Sequence, residues 1–134
     1  MAETIELEIV TPERLVVKDR AEEIQIPGRS GYLGILYGHA PLITDLAVGE
    51  ITYKNAGVVT RLSVAWGFAE VLPEKVTILA ETAELAEDID VPRAEHARDR
   101  AMERIHKAED AQAYEEAEMA LKRAEARLAV AKEK

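Results

Sequence analysis

The chain has 134 residues, no cysteine and a formal net charge of −9, so it has room for one modest core, or for a small domain with an appendage leaning on it. Disulfides, thiolate nucleophiles and cysteine-based zinc sites are excluded, and the acidic balance repels phosphate backbones, which argues against nucleic acid as a partner. No basic leader precedes an apolar run, and no stretch reaches the ~18 apolar residues of a membrane span, so a soluble chain is expected, without direct membrane insertion and tied to any membrane only through partners.

Read in chain order, short apolar runs alternate with turn residues at Ile5–Val10, Leu15–Val17, Glu23–Ile26, Ile51–Tyr53, Val58–Val64, Phe68–Leu72 and Val76–Leu79. Their β-branched content and spacing of roughly ten residues predict an antiparallel β-sandwich or barrel over 1–88. In Ile5-Glu6-Leu7-Glu8-Ile9 the period of two is strict, which buries one face and wets the other. Trp66 and Phe68 are expected to fill the core.

All seven glycines lie between Gly28 and Gly67 and the last proline is Pro92; beyond it the chain is built from Ala, Glu, Lys, Arg and Leu. Over 89–134 the pattern is helical. Asp90 is the expected N-cap, with Pro92 in the first turn, and a helix runs to about Ala108. After a bend at Glu109-Asp110-Ala111-Gln112, a second helix carries the stripe Tyr114, Ala117, Leu121, Ala124, Leu128, Ala131. Ala94, Ala97, Ala101, Ile105 and Ala108 match it on the first helix, which predicts an antiparallel two-helix hairpin with an alanine-rich seam. Burial yields only ~0.8 kcal/mol per CH₂, so such a seam is weakly held, while the high helix propensity of Ala, Glu, Lys and Arg lets each helix persist if the hairpin opens. That combination suits a switch; a static hairpin on a permanent partner is the plainer alternative.

The charges divide unevenly, with 7 basic and 15 acidic residues in 1–88 against 10 and 11 in 89–134. At 100° per residue Arg93 and Arg100 flank the first stripe, Arg123 and Arg127 flank the second, and in an antiparallel pair the two flanks form one edge. Four guanidiniums gathered there match polyphosphate oxygens. The competing reading is ordinary pairing with Glu and Asp on a solvated helix face, at ~0.3–0.5 kcal/mol per pair.

The run Gly31-Tyr32-Leu33-Gly34-Ile35-Leu36-Tyr37-Gly38-His39-Ala40-Pro41-Leu42-Ile43-Thr44, followed by Leu46 and Gly49, then by Gly67-Phe68-Ala69-Glu70-Val71 and Val76-Thr77-Ile78-Leu79-Ala80-Glu81, resembles the epsilon subunits of bacterial F-type ATP synthases over nearly the whole chain. Trp66 departs from the pattern, standing where the family usually has a second glycine. The resemblance implies a non-catalytic, regulatory subunit at the cytoplasmic face of the bacterial plasma membrane. Its sandwich would bind the gamma subunit and the proton-translocating membrane rotor ring, and its hairpin would extend toward the catalytic alpha/beta hexamer to inhibit ATP hydrolysis. The loop with Gly31, Gly34, Gly38 and His39 would face the ring, although those glycines can equally serve tight turns. No cofactor is required, but some bacterial members bind ATP as a regulatory ligand on the folded hairpin through Ile or Leu, Asp, two variable residues, Arg and Ala. That motif stands intact as Ile89-Asp90-Val91-Pro92-Arg93-Ala94, and matching the remaining positions one by one adds Glu84, Arg100, Arg123 and Arg127. The arginines could instead meet acidic residues of the catalytic subunits. A free-standing nucleotide or anion sensor, and a purely structural adaptor, are the alternatives to the family reading.

No catalytic site is expected. His39, His96 and His106 are far apart and no Ser stands in a nucleophile setting; no Gly-rich phosphate loop occurs, and His96 with Asp99 makes a poor metal pair.

Overall fold

The computed structural model describes residues 3–132. Eight strands come first: β1 (Ile5–Val10), β2 (Leu15–Ala21), β3 (Glu23–Gly28), β4 (Gly31–Leu36), β5 (Leu42–Leu46), β6 (Gly49–Asn55), β7 (Val58–Val71) and β8 (Lys75–Leu85). A 3-10 turn at Ala86–Asp88 leads into helices α1 (Val91–Lys107) and α2 (Ala111–Lys132). The expected β-sandwich followed by two helices is the observed fold.

One layer is ordered β2-β1-β8-β7-β5 and the other β7-β6-β3-β4, with β7 common to both. The strict alternation of β1 places Ile5, Leu7 and Ile9 fully inside, where they meet Ile24, Ile26, Ile35, Ile51, Leu62 and Ile78. All strand pairs are antiparallel except β1 with β8. These two strands are distant in the chain, and a long connection allows either direction. Lys75 spans this pair with Glu8 at 3.1 Å and Glu6 at 3.5 Å, and the hydrogen bond to Glu8, then its charge, raises the ammonium above its ordinary pKa.

The two apolar runs expected at Val58–Val64 and Phe68–Leu72 are one strand, bent at Trp66-Gly67. Before the bend β7 pairs with β6, from Val58 to Val64; after it β7 pairs with β5, from Gly67 to Val71. Gly67 has φ +132°, and a Cβ there would stand 1.9 Å from the Leu79 carbonyl oxygen, so β7 and β8 can approach only where no side chain intervenes. Trp66 itself has φ 49°, a left-handed conformation that costs an L-residue about 1–2 kcal/mol.

Four expectations need correction. Trp66 and Phe68 are not core residues: Phe68 is 56% exposed, because Ala69 and Val71 take the inward positions of the alternation, and Trp66 is only partly buried at the bend. The segment from Gly31 to His39 is not one loop. It supplies β4, hairpinned on β3 with Gly28 opposite Gly31, whose glycines had masked the strand signal, and then the turn over 37–41 that leads into β5. Tyr114 leaves the seam and is 47% exposed, since an alanine-narrow interface has no room for a phenol ring; Ala117, Ala124 and Ala131 remain its buried centre. Finally, α2 begins at Ala111, two residues earlier than expected, because the Asp110 carboxylate accepts from the Ala113 N–H at 2.7 Å and caps it.

The N-cap of α1 is Asp90, whose carboxylate accepts from the Arg93 N–H at 3.1 Å, with Pro92 in the first turn. Near its end the Lys107 ammonium, 2.6 Å from Glu103, holds that carboxyl below its ordinary pKa. Of the two helices it is α2 that lies on β6 and β7, and α1 packs on α2.

Replacing Gly67 by Ala is expected to destabilise the sandwich by about 3 kcal/mol or more, through strain and the clash with Leu79, as measured by denaturant unfolding. Asp90→Ala should cost about 1 kcal/mol and Asp90→Asn much less, read as hydrogen-exchange protection of the first-turn amides of α1.

Candidate functional site

Where the hairpin meets the sheet, a cleft of ≈ 330 Å³ opens between β7, β8, α1 and α2. Its walls are small because the helix positions facing it are alanines: Ala97 and Ala101 from α1, Ala120 and Ala124 from α2. Ser63 and Thr82 line the strand side, and into the space so left reach Arg100 and Arg104 from α1 and Arg123 and Arg127 from α2. A single carboxylate among the lining residues, Glu84 on β8, opposes these four guanidiniums. The excess of positive charge and the forked donors suit an anion carrying several negative charges.

Arg127 is largely buried, its side chain 21% exposed. Its Nη2 donates to Glu84 Oε2 at 3.3 Å, and its Nε stands 2.6 Å from Oε1. The Nε is closed off from solvent, so this ion pair is formed away from water. Arg123 lies over the Trp66 ring, 5.1 Å from its centroid. A second, more open cleft of ≈ 540 Å³ continues from there, lined by Trp66, Gln112, Glu115, Glu116, Met119 and the shared Arg104 and Arg123.

Of the nucleotide residues expected from the sequence, Glu84, Arg100, Arg123 and Arg127 come together in the first cleft. Arg93 does not. It lies two turns, about 10 Å along the axis, from Arg100, exposed in the first turn of α1. Ile89 is buried in a small apolar cluster with Ala86, Val130 and Ala131, Asp90 is occupied as the cap, and Ala94 is fully buried. Three of the motif positions are thus accounted for by folding alone. Arg104 was missed, though at i+4 from Arg100 it falls on the same flank and a helical wheel could have found it. Ser63, Thr82 and Trp66 enter only through tertiary packing.

The residues expected at the ring do not share one loop. Gly31 opens β4, Gly34 lies within it, and His39 follows its far end, so Gly31 and His39 are separated by the length of a six-residue strand, about 17 Å. His39 is exposed in the turn between β4 and β5, and Gly38, at φ +85°, donates its N–H to the Pro73 carbonyl at 2.8 Å. A third surface comes from register. Phe68 lies opposite Leu79, and Leu79 opposite Val10, on the outward face of one layer. With exposed Ile43 and Leu15 nearby, they form an apolar patch of the kind that marks protein interfaces. Among the described residues no cluster of three metal-ligating side chains occurs, and no helix is long and apolar enough to cross a membrane.

Two family profiles cover the chain. Residues 4–86 match the β-sandwich domain of the ATP synthase delta/epsilon chain, and residues 87–132 match its long α-helix domain. The ATP synthase epsilon chain of Koribacter versatilis is 65% identical over 105 residues, 78% of this chain and 74% of that one. The epsilon chain of Solibacter usitatus is 45% identical over 134 residues, the full length of both. Among solved structures, a chain of the Euglena gracilis mitochondrial ATP synthase superposes with a TM-score of 0.80 at 24% identity, covering 91% of this chain and 78% of that chain, which is a likeness of fold. The chain therefore belongs to the ATP synthase epsilon family, non-catalytic subunits of the central stalk.

Proposed function

We propose that this subunit couples the rotor of an ATP synthase to its membrane ring, at the cytoplasmic face of a bacterial plasma membrane, and that its hairpin is a nucleotide-responsive brake on ATP hydrolysis. In the docked state the hairpin lies on the sandwich; in the raised state it reaches the catalytic alpha/beta hexamer. ATP bound in the arginine cleft stabilises the docked state and is not hydrolysed there. The observation that carries this reading is that the cleft is walled by the sheet and by both helices together, with four guanidiniums facing one carboxylate. An anion held there bridges all three elements, and a ligand that binds only the docked state shifts the population toward it. Arg100, Arg104, Arg123 and Arg127, with Glu84 opposite them, would hold the phosphates, while Ile89, Asp90 and Ala94 would serve the site only by fixing the start of α1, and Arg93 lies outside it. The apolar outer patch of Phe68, Leu79 and Ile43 is assigned to the gamma subunit. The turn at His39, with Gly31 and Gly34 of β4, is assigned to the ring.

Calorimetric titration of the full chain with ATP should give saturable binding. At a hundredfold excess over Kd the folded state gains about 2.7 kcal/mol, which raises Tm by several degrees. Arg100→Ala should abolish both effects while leaving the unliganded Tm nearly unchanged, and Arg123→Ala should weaken binding without abolishing it. Absence of binding at millimolar ATP would remove the nucleotide role and leave the family assignment untouched. In a separate test, Leu79→Glu, on the wet face of β8, should leave the isolated protein folded and prevent its co-purification with the gamma subunit.

A further inference from the structure

Trp66 has no part in the reading above, yet three observations single it out. It adopts a left-handed backbone conformation, φ 49°, that a glycine would adopt freely. It stands at the bend where β7 passes from one layer to the other, beside Gly67, whose backbone is pinned against the Leu79 carbonyl. Its ring carries the Arg123 guanidinium, 5.1 Å from the centroid, and Arg123 belongs to α2 and lines both clefts. Strained residues persist where the surroundings over-determine them, and they mark places where geometry is put to use. Here an indole at the bend of β7 meets a cation of the helix that docks there. Much of the rest of that helix's buried surface is alanine: Ala117, Ala124 and Ala131.

We propose that Trp66 is a positioning residue that latches the hairpin: it fixes the Arg123 guanidinium from the sandwich side, holding α2 docked without any ligand and presetting that charge toward the cleft. Its second role, toward a polyphosphate, rests on the nucleotide reading; its first does not. A contact of this kind exists only while the hairpin is down, so the residue at position 66 adjusts how often the hairpin rises.

The test is a double-mutant cycle in the full chain, comparing the unaltered protein with Trp66→Gly, Arg123→Ala and the pair. Glycine fits the backbone at position 66, so β7 and β8 amides should keep their protection. Should they lose it, Trp66→Leu, which keeps bulk and lacks a π face, takes its place in the cycle. Without nucleotide, each single change should lower hydrogen-exchange protection of α2 about 3- to 10-fold, as expected for a partly desolvated cation–π contact, and the double change should lower it no further. Unchanged α2 protection in Trp66→Gly, or losses that multiply in the double variant, would overturn the latch. With ATP, the Trp66 change should weaken binding by a similar factor when Arg123 is present and leave binding unaffected in the Arg123→Ala background; an equal loss in both backgrounds overturns the presetting role. If the unaltered protein binds no ATP, the nucleotide reading fails by itself, and the ligand-free cycle still decides the latch.

Discussion

Everything in this molecule is arranged around the close approach of β7 and β8 at Gly67. A strand of 14 residues can serve two layers only if it turns between them, and it turns where a missing side chain lets its backbone come within contact of the Leu79 carbonyl. Residues before the bend, Ser63 to Ala65, form the strand side of the arginine cleft. Residues after it, Ala69 and Val71, close the core, while Phe68 is turned outward. The bend thus fixes the floor of one surface and the face of another in a single step.

On this floor rests a hairpin whose cohesion is of a different kind. Its seam is alanine, so the helices approach closely but remove little apolar surface from water. What holds it down is mixed: the ion pair of Glu84 with Arg127, the stacking of Arg123 on Trp66, and the small cluster around Ile89. Such contacts are directional and few, and they would be lost together if α2 departed. The same alanines that weaken the seam create the space into which the arginines reach, so a weakly held hairpin and an anion-sized cleft have one cause.

The elements governed by local patterning were legible in the sequence: β1 from its alternation, the start of α1 from Asp90 and Pro92, the alanine centre of α2 from the spacing of Ala117, Ala124 and Ala131. Arg100, Arg123 and Arg127 could be placed on one edge because helix geometry is nearly rigid. What escaped depended on partners. Strand β4 is diluted by Gly31 and Gly34, β5 is only five residues long, and the two owe their form to β3 and β7. Tyr114 obeyed the period and was refused by the width of the seam. Arg93 shares a flank with Arg100, but the cleft ends two turns short of it. Trp66, an aromatic among apolar neighbours, was expected inside, and nothing local announces that its backbone is left-handed and its ring faces a guanidinium.

The cluster of Ala86, Ile89, Val130 and Ala131 joins the last turn of α2 to the connection that precedes α1. The last turn of α2 and this connection are thereby fastened together, with Val130 wholly enclosed. Were the hairpin to rise as proposed, it could not swing as a rigid arm. The last turn of α2 would have to peel away before the connection could pivot, which would give that motion a fixed order of events. The tempo of the first event would be set by a handful of methyl groups in that turn, far in sequence from the sandwich that the hairpin would leave.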